Sequence, residues 1–484
     1  MNAPDLRPLP GALQLSRTGG QTLAEQLAAH YATHIRHRLI APGTRLPSVR
    51  DGARRHGVSP HTVVAAYDQL LAQGLVEARR QRGFFVREQR RDPPSAPPGP
   101  PTVAPRAPVD ASALIRGMLG ENSRRPGPGL GTLPASWLDL GMLQAAMRRV
   151  LADERDDDRD ATALHYGDPA GDARLRAALC ARLADFGVRA VPGQLVTAVG
   201  ATQALDLISR AVLAPGDAVL VDEPGWSVEY ARLTQLGMRL LPVPRGPDGP
   251  DLAVLDTLAR EHRPRLYVTV SVLHNPTGAM LSLACAHRLL QLAQAHDFPI
   301  VEDDTYAHLA PAHAPRLAAL DGLQRTFYVS GFSKILAPGW RVGFVAAPPG
   351  WVDRLIDLKM LASLTTPSLL ERAVAVCLEQ GQLRRHAERV MARLDAARTR
   401  SVRLAREAGC EFVFPPQGLF GWVETGVDTE PLAQRLLDDG WLTAPGCLFH
   451  PRRQPSTRMR INFATAQDAG FWRAFAGARD AMPH

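Results

Sequence analysis

Apolar side chains recur every four positions at Leu23, Leu27, Tyr31, Ile35 and Leu39, which predicts a helix over residues 21–40. Ala41-Pro42-Gly43 stops it. Leu46-Pro47-Ser48-Val49-Arg50 opens a second helix, with Pro47 in its first turn. Gly57-Val58 makes a turn, and Ser59 is placed as the N-cap of a third helix reaching about Gln73. Val63, Ala66, Tyr67 and Leu70 form its inner face, and Gly74 ends it. Residues 75–78 and 84–87 then pair as a hairpin around Arg79-Arg80-Gln81-Arg82-Gly83. Three helices, a tight turn before the last and a basic hairpin make a winged helix-turn-helix. Its third helix would enter the major groove and its wing arginines would reach phosphates.

From about residue 110 onward the pattern changes to strand-like runs alternating with helical ones. Strands are expected at 195–199, 218–221, 239–242, 266–272, 299–302, 326–330 and 342–346, with helices at 201–213, 281–296 and 364–378 among others. That is an α/β domain with a mainly parallel sheet, whose ligands lie beyond the carboxyl ends of the strands. Between the two parts, residues 92–109 carry eight prolines and form an extended, semi-rigid linker reaching about 50 Å. The expected domains are therefore 1–91, a linker of 92–109, and 110–484.

Charge separates the same parts. Residues 1–91 hold fourteen arginines against six acidic residues, whereas the other 42 basic residues are matched by 42 acidic ones. The excess points to a polyanion partner for the N-terminal part. No apolar run approaches a membrane span, and no signal-peptide layout is present. The five cysteines are scattered without metal-type spacing, so a reduced, cytoplasmic protein without a metal site is expected.

The chain contains two lysines, Lys334 and Lys359. An imine with a carbonyl compound must use one of them, because arginine stays protonated. Lys359 falls in an ordinary amphipathic helical pattern. Lys334 follows a strand and lies among small residues, Ser330-Gly331-Phe332-Ser333-Lys334, with Arg341 seven positions on as a phosphate ligand. Gly200-Ala201-Thr202 starts a helix after a strand and makes an anion-binding turn. Trp226 either stacks on an aromatic ligand or fills the core. Asn275 lies at a strand end. Asp303, with Tyr306 three residues on, either caps a helix or contacts a ligand.

Two resemblances organise these residues. The pattern from Leu46 to Val86 resembles the DNA-binding domain of GntR-type bacterial regulators. It implies DNA contacts by Arg45, Arg50, Ser59, His61, Thr62 and the wing residues Arg79, Arg80, Arg82 and Gly83. Pro60 stands where many members have arginine, and Val64 where some have another, which leaves base readout weaker or dependent on His61.

From about residue 126 the chain resembles the fold-type I, class I/II aminotransferases. The matching stretches are Tyr166-Gly167-Asp168-Pro169-Ala170-Gly171, Asn275-Pro276-Thr277-Gly278, Asp303 with Tyr306, Ser330 through Gly343, and Arg460 through Ala464. The resemblance implies pyridoxal 5'-phosphate (PLP) as cofactor, held as an internal aldimine by Lys334. Asp303 would pair with the ring nitrogen, Asn275 and Tyr306 would bond its phenolic oxygen, and Trp226 would stack on the ring. Ala201, Thr202, Ser333 and Arg341 would hold the phosphate, and Tyr166 would reach the phosphate of a second subunit, so a homodimer is implied. Arg460 would clamp a substrate carboxylate. Gly331 stands where many relatives have a phosphate-binding serine, which shifts that contact to Ser330 or Ser333.

Together the two halves resemble the MocR subfamily of GntR regulators, fused to a fold-type I transferase domain with a small C-terminal α+β subdomain. The expected function is a transcriptional regulator binding a double-stranded DNA operator and sensing an amino acid, an amine or PLP itself through aldimine exchange. A working aminotransferase with a DNA-binding appendix is the alternative, and the sequence leaves turnover open. A scaffold that keeps the cofactor structurally is a third.

Overall fold

The computed structural model describes residues 22–36, 40, 43–79, 82–87, 127–156 and 164–482. They fall into two compact units, one before and one after a division at Arg106. Arg80 and residues 92–109 lie outside the described residues.

The first unit has helices α1 (Leu23–Arg36), α2 (Val49–His56) and α3 (Pro60–Ala72) and strands β1 (Val76–Arg79) and β2 (Gly83–Val86). The start of α2 differs from the expectation. Ser48, not Pro47, is the boundary, because its hydroxyl accepts from the Asp51 N–H at 3.2 Å and so caps the helix. Ser59 caps α3 in the same way, with Pro60 in the first turn. Leu27 and Tyr31 of α1 and Val63, Ala66, Tyr67 and Leu70 of α3 are buried in one core. β1 and β2 are antiparallel, Val76 opposite Val86, and Arg45 bridges to Phe85 beside the wing.

In the second unit, strands β3 (Leu195–Val199), β4 (Ala218–Glu223), β5 (Arg239–Gly246), β6 (Gly249–Pro250), β7 (Leu266–Thr269), β8 (Ile300–Asp303), β9 (Thr326–Gly331) and β10 (Val342–Ala346) form one sheet in the order 3-10-9-8-7-4-5-6. β4, β5, β7, β8 and β9 are mutually parallel. β10 runs antiparallel between β3 and β9. Strands β7 to β10 are buried along their whole length, as in a sheet covered on both faces. A smaller antiparallel sheet follows, built from β11 (Glu411–Phe412), β12 (Phe420–Glu424), β13 (Ala444–Pro445) and β14 (Arg458–Asn462). Among the described residues no helix is long and apolar enough to cross a membrane.

Candidate active site

The carboxyl ends of β3, β4, β8 and β9 lie along one edge of the sheet. The reversed β10 begins at that edge, which is why Arg341, the residue before it, joins them. At the end of β3 the helix Gly200–Val212 starts without a side-chain cap, so its first N–H groups have no partner within the helix. The Arg341 guanidinium crosses this turn and donates to the Val199 carbonyl at 3.2 Å and the Ser333 hydroxyl at 3.3 Å. Ala201 is half-buried and Thr202 exposed beside them. The Arg341 guanidinium and the Ser333 hydroxyl thus lie at the uncapped start of this helix, an arrangement suited to an anion. Ser330 takes no part, because its hydroxyl donates to the Asp304 carbonyl at 2.8 Å. Of the two serines expected to replace the residue at Gly331, Ser333 is the one beside Arg341.

Asp303 ends β8 and is buried. One carboxylate oxygen accepts from the Thr305 N–H at 3.0 Å and from the Thr305 hydroxyl. Burial pushes its carboxyl up to about 6, against the lowering by those two bonds. Trp226, half-buried after β4, lines a slot with Asp303, Gly225 and His274. Tyr306 meets the Phe420 ring edge-on at 5.5 Å, and burial raises its phenol.

Lys334 is half-buried, and its amine donates to the Gly131 carbonyl at 2.7 Å. Burial pushes this amine down to about 8, with Arg460 and Arg341 acting in the same direction and Asp303 against them. Arg460, on β14, is buried with its guanidinium between the Phe420 and Phe449 rings at 4.5 and 5.2 Å. It donates to Asn275 Oδ1 at 2.9 Å and to the Gly129 carbonyl at 2.5 Å. Its Nε has no partner among the described residues. Burial pushes even this guanidinium down to about 10.

Sequence reasoning missed the segment that joins these two cations. Residues 127–132 form a strap. Its Gly129 and Gly131 carbonyls hold Arg460 and Lys334, while the Leu130 and Thr132 carbonyls accept from Asn462 Nδ2 at 2.9 and 2.8 Å. A Cβ on Gly129 would overlap the backbone of Thr443 and Ala444. The Gly-Pro-Gly-Leu-Gly run at 127–131 was the available signal.

Two further placements matter. Tyr166 is 81% exposed. Lys359 falls in a helix, as expected. It is wholly buried there, with its amine engaged by the Thr197 and Thr366 hydroxyls.

In the first unit, Arg50, Ser59 and His61 are exposed and Thr62 half-buried around the start of α3. The Ser59 hydroxyl is engaged with the Thr62 N–H at 3.1 Å and its hydroxyl at 2.8 Å, so these two residues shape the helix start. Arg45 and Arg82 are exposed near Gly83, at the start of β2. Arg79 pairs with Glu77 at 2.8 Å and covers the Phe85 ring.

The aminotransferase class I and II family matches residues 138–474, and the bacterial regulatory gntR family matches residues 23–86. The chain is 31% identical to the uncharacterized HTH-type transcriptional regulator YdcR of Escherichia coli, covering 92% of this chain and 94% of that protein. It is also 31% identical to the "Probable rhizopine catabolism regulatory protein MocR" of Rhizobium meliloti over 80% of this chain and 77% of that one. Among solved structures, LysN, an α-aminoadipate aminotransferase of Thermus thermophilus in complex with N-(5'-phosphopyridoxyl)-L-leucine, superposes with a TM-score of 0.68. It is 28% identical, covering 76% of this chain and 94% of that chain. This chain belongs to the MocR-type transcriptional regulators, in which a GntR-family DNA-binding domain precedes an aminotransferase class I and II domain.

Proposed function

We propose that the protein is a PLP-dependent regulator whose affinity for a DNA operator is set by an amino acid or amine captured at Lys334. The observation that carries this reading is the convergence of Lys334, Asp303, Arg341 and Arg460 on one sheet edge of a chain that also carries a GntR domain. The site fits the cofactor. The anion position at Gly200–Thr202, Ser333 and Arg341 suits its phosphate, Asp303 suits its ring nitrogen, and Trp226 suits its ring face. The phosphopyridoxyl ligand bound to LysN supports the same assignment. When bound, PLP supplies a carbonyl that condenses with amines and a ring that withdraws electrons.

The chain's own residues do the rest. The Lys334 amine, held near neutrality by its surroundings, is nucleophilic at physiological pH. Asp303 keeps the ring nitrogen protonated once the cofactor cation opposes its burial. Arg460 recognises a carboxylate as a planar fork. Strap carbonyls accept from both Arg460 and Lys334. A ligand carboxylate competes with the Gly129 carbonyl, so occupancy is coupled to the strap, the first described segment of this unit after the DNA-binding one. A second copy is the proposed cover for Leu164, Tyr166, Leu361 and Leu364, all large apolar side chains at least 53% exposed. The proposed domain limits are 1–91, 92–109 and 110–484, with the linker giving the winged helices reach.

The test is an absorbance screen of PLP-loaded protein against amino acids and amines, with Lys334→Ala as control. A compound that shifts the band in wild type alone names the effector class. Sustained conversion of keto acids by the loaded protein would favour the aminotransferase reading instead.

A further inference from the structure

Lys359 is a buried cation that the site does not use. Its amine donates to Thr197 Oγ1 at 3.1 Å and Thr366 Oγ1 at 3.3 Å. Those hydroxyls are 2.9 Å apart, and Thr366 donates onward to Glu371, itself 2% exposed. The knot joins β3, the helix Val352–Ser363 and the helix Ser368–Glu379. Burial pushes the Lys359 amine down to about 8, opposed by Glu371 and Asp168. A buried amine linked through Thr366 to a buried carboxylate is retained at a cost in desolvation, which invites a positional role.

The loop 166–172 rests on this knot. The Ala170 carbonyl accepts from the Thr197 N–H at 2.9 Å, and Glu371 accepts from the Asp172 N–H at 2.8 Å. Gly171 lies so close to Thr197 that a Cβ there would overlap its side chain. A Cβ on Gly167 would stand 3.5 Å from that of Ser368. Arg176 completes the attachment through Asp168 at 3.0 Å and the Gly171 carbonyl at 3.1 Å. At its free end the loop carries exposed Tyr166.

We infer that Lys359 is a positioning residue that acts in trans: by fixing Thr197, Thr366 and Glu371 it holds the loop 166–172 so that Tyr166 is presented to the cofactor phosphate of a second copy. This rests on the PLP and homodimer reading above. A cis effect is the competing outcome, because Thr197 lies on β3, which leads into the protein's own anion turn. The two routes predict opposite results in mixed dimers.

The experiment measures PLP dissociation constants by absorbance for full-length Lys359→Met and for the double variant Lys359→Met/Glu371→Gln. The double variant leaves no unpaired buried charge, so it guards against misfolding of the single one. Both homodimers should bind PLP about tenfold to a hundredfold more weakly, the worth of one charge-assisted hydrogen bond. Each is then co-expressed with a differently tagged Lys334→Ala chain, and the heterodimer is isolated. There the intact Lys334 belongs to the chain carrying Lys359→Met but receives Tyr166 from a chain with an undisturbed knot, so wild-type affinity should return. Unchanged affinity in the homodimers overturns the inference. So does weak binding that persists in the heterodimer, which makes the effect cis. Full recovery in the double-variant homodimer also overturns it, since Lys359 would then only neutralise Glu371. A wild-type protein that is monomeric or gives no band with PLP removes the underlying reading, and this inference with it.

Discussion

Replacing Arg460 by methionine tests what the guanidinium contributes beyond volume. In the wild-type protein each of its two terminal nitrogens already makes one hydrogen bond, to Asn275 Oδ1 and to the Gly129 carbonyl. An incoming carboxylate therefore exchanges neutral acceptors for a charged one, and the gain is the difference between the two. Charge-assisted bonds to an ionised partner are worth about 1.5–3 kcal/mol, against about 1 kcal/mol for ordinary ones. Each exchange gains about 0.5–2 kcal/mol, so two in a site flanked by Phe420 and Phe449 come to about 1–4 kcal/mol, or about fivefold to nearly a thousandfold in affinity. Methionine keeps the apolar packing between the rings and loses all of this. The assay is titration of PLP-loaded protein with a band-shifting amino acid and with the amine that lacks its carboxylate. Arg460→Met should weaken the amino acid by that factor and leave the amine unchanged. Equal affinity of variant and wild type for the amino acid would refute the carboxylate role of Arg460.

Borohydride reduction of PLP-loaded protein should label Lys334 and not the buried Lys359; a label on Lys359 contradicts the site. The rate at which apo-protein gains the PLP band should rise with pH through about 8, the value to which burial lowers the Lys334 amine. Only the neutral amine reacts, so a lowered value raises the reactive fraction, by about 300-fold at pH 7 relative to an unperturbed lysine. A midpoint near 10 would show that burial and Arg460 do not act on it. In the DNA-binding unit, Arg50→Ala should weaken duplex binding and flatten its salt dependence, whereas His61→Ala should cost about 1–3 kcal/mol at one base step. These are read by salt titration and by competition among operator variants, and a uniform loss across sequences for His61→Ala would remove it as a base reader.

What the sequence revealed was whatever lay within a few residues. Lys334, Ser333 and Arg341 share one stretch, Asp303 and Tyr306 another, and each stretch follows a strand-like run. What it concealed was paired across the chain. Arg460 and Gly129 lie 331 positions apart, and Lys359 and Thr197 lie 162 apart. A helical pattern cannot tell a buried lysine from a solvated one when its partners are two threonines on other elements. The reversed direction of β10 was readable in part. Ten residues separate β9 from β10, fewer than the dozen or so that a parallel crossover needs. Pro47 misled because proline suits a first helical turn, yet Ser48 beside it offers a hydroxyl to the orphan N–H groups and so fixes the boundary.

The central claim is that ligand capture at Lys334 changes binding to DNA. Its most direct test is operator affinity of the full-length, PLP-loaded protein, measured with and without each amino acid that shifts the absorbance band. The account predicts that affinity changes with those compounds only, that the change disappears in Lys334→Ala, and that it diminishes in Arg460→Met. Identical affinity with every band-shifting compound, accompanied by steady amino transfer to a keto acid, would contradict it and identify the second unit as an enzyme first.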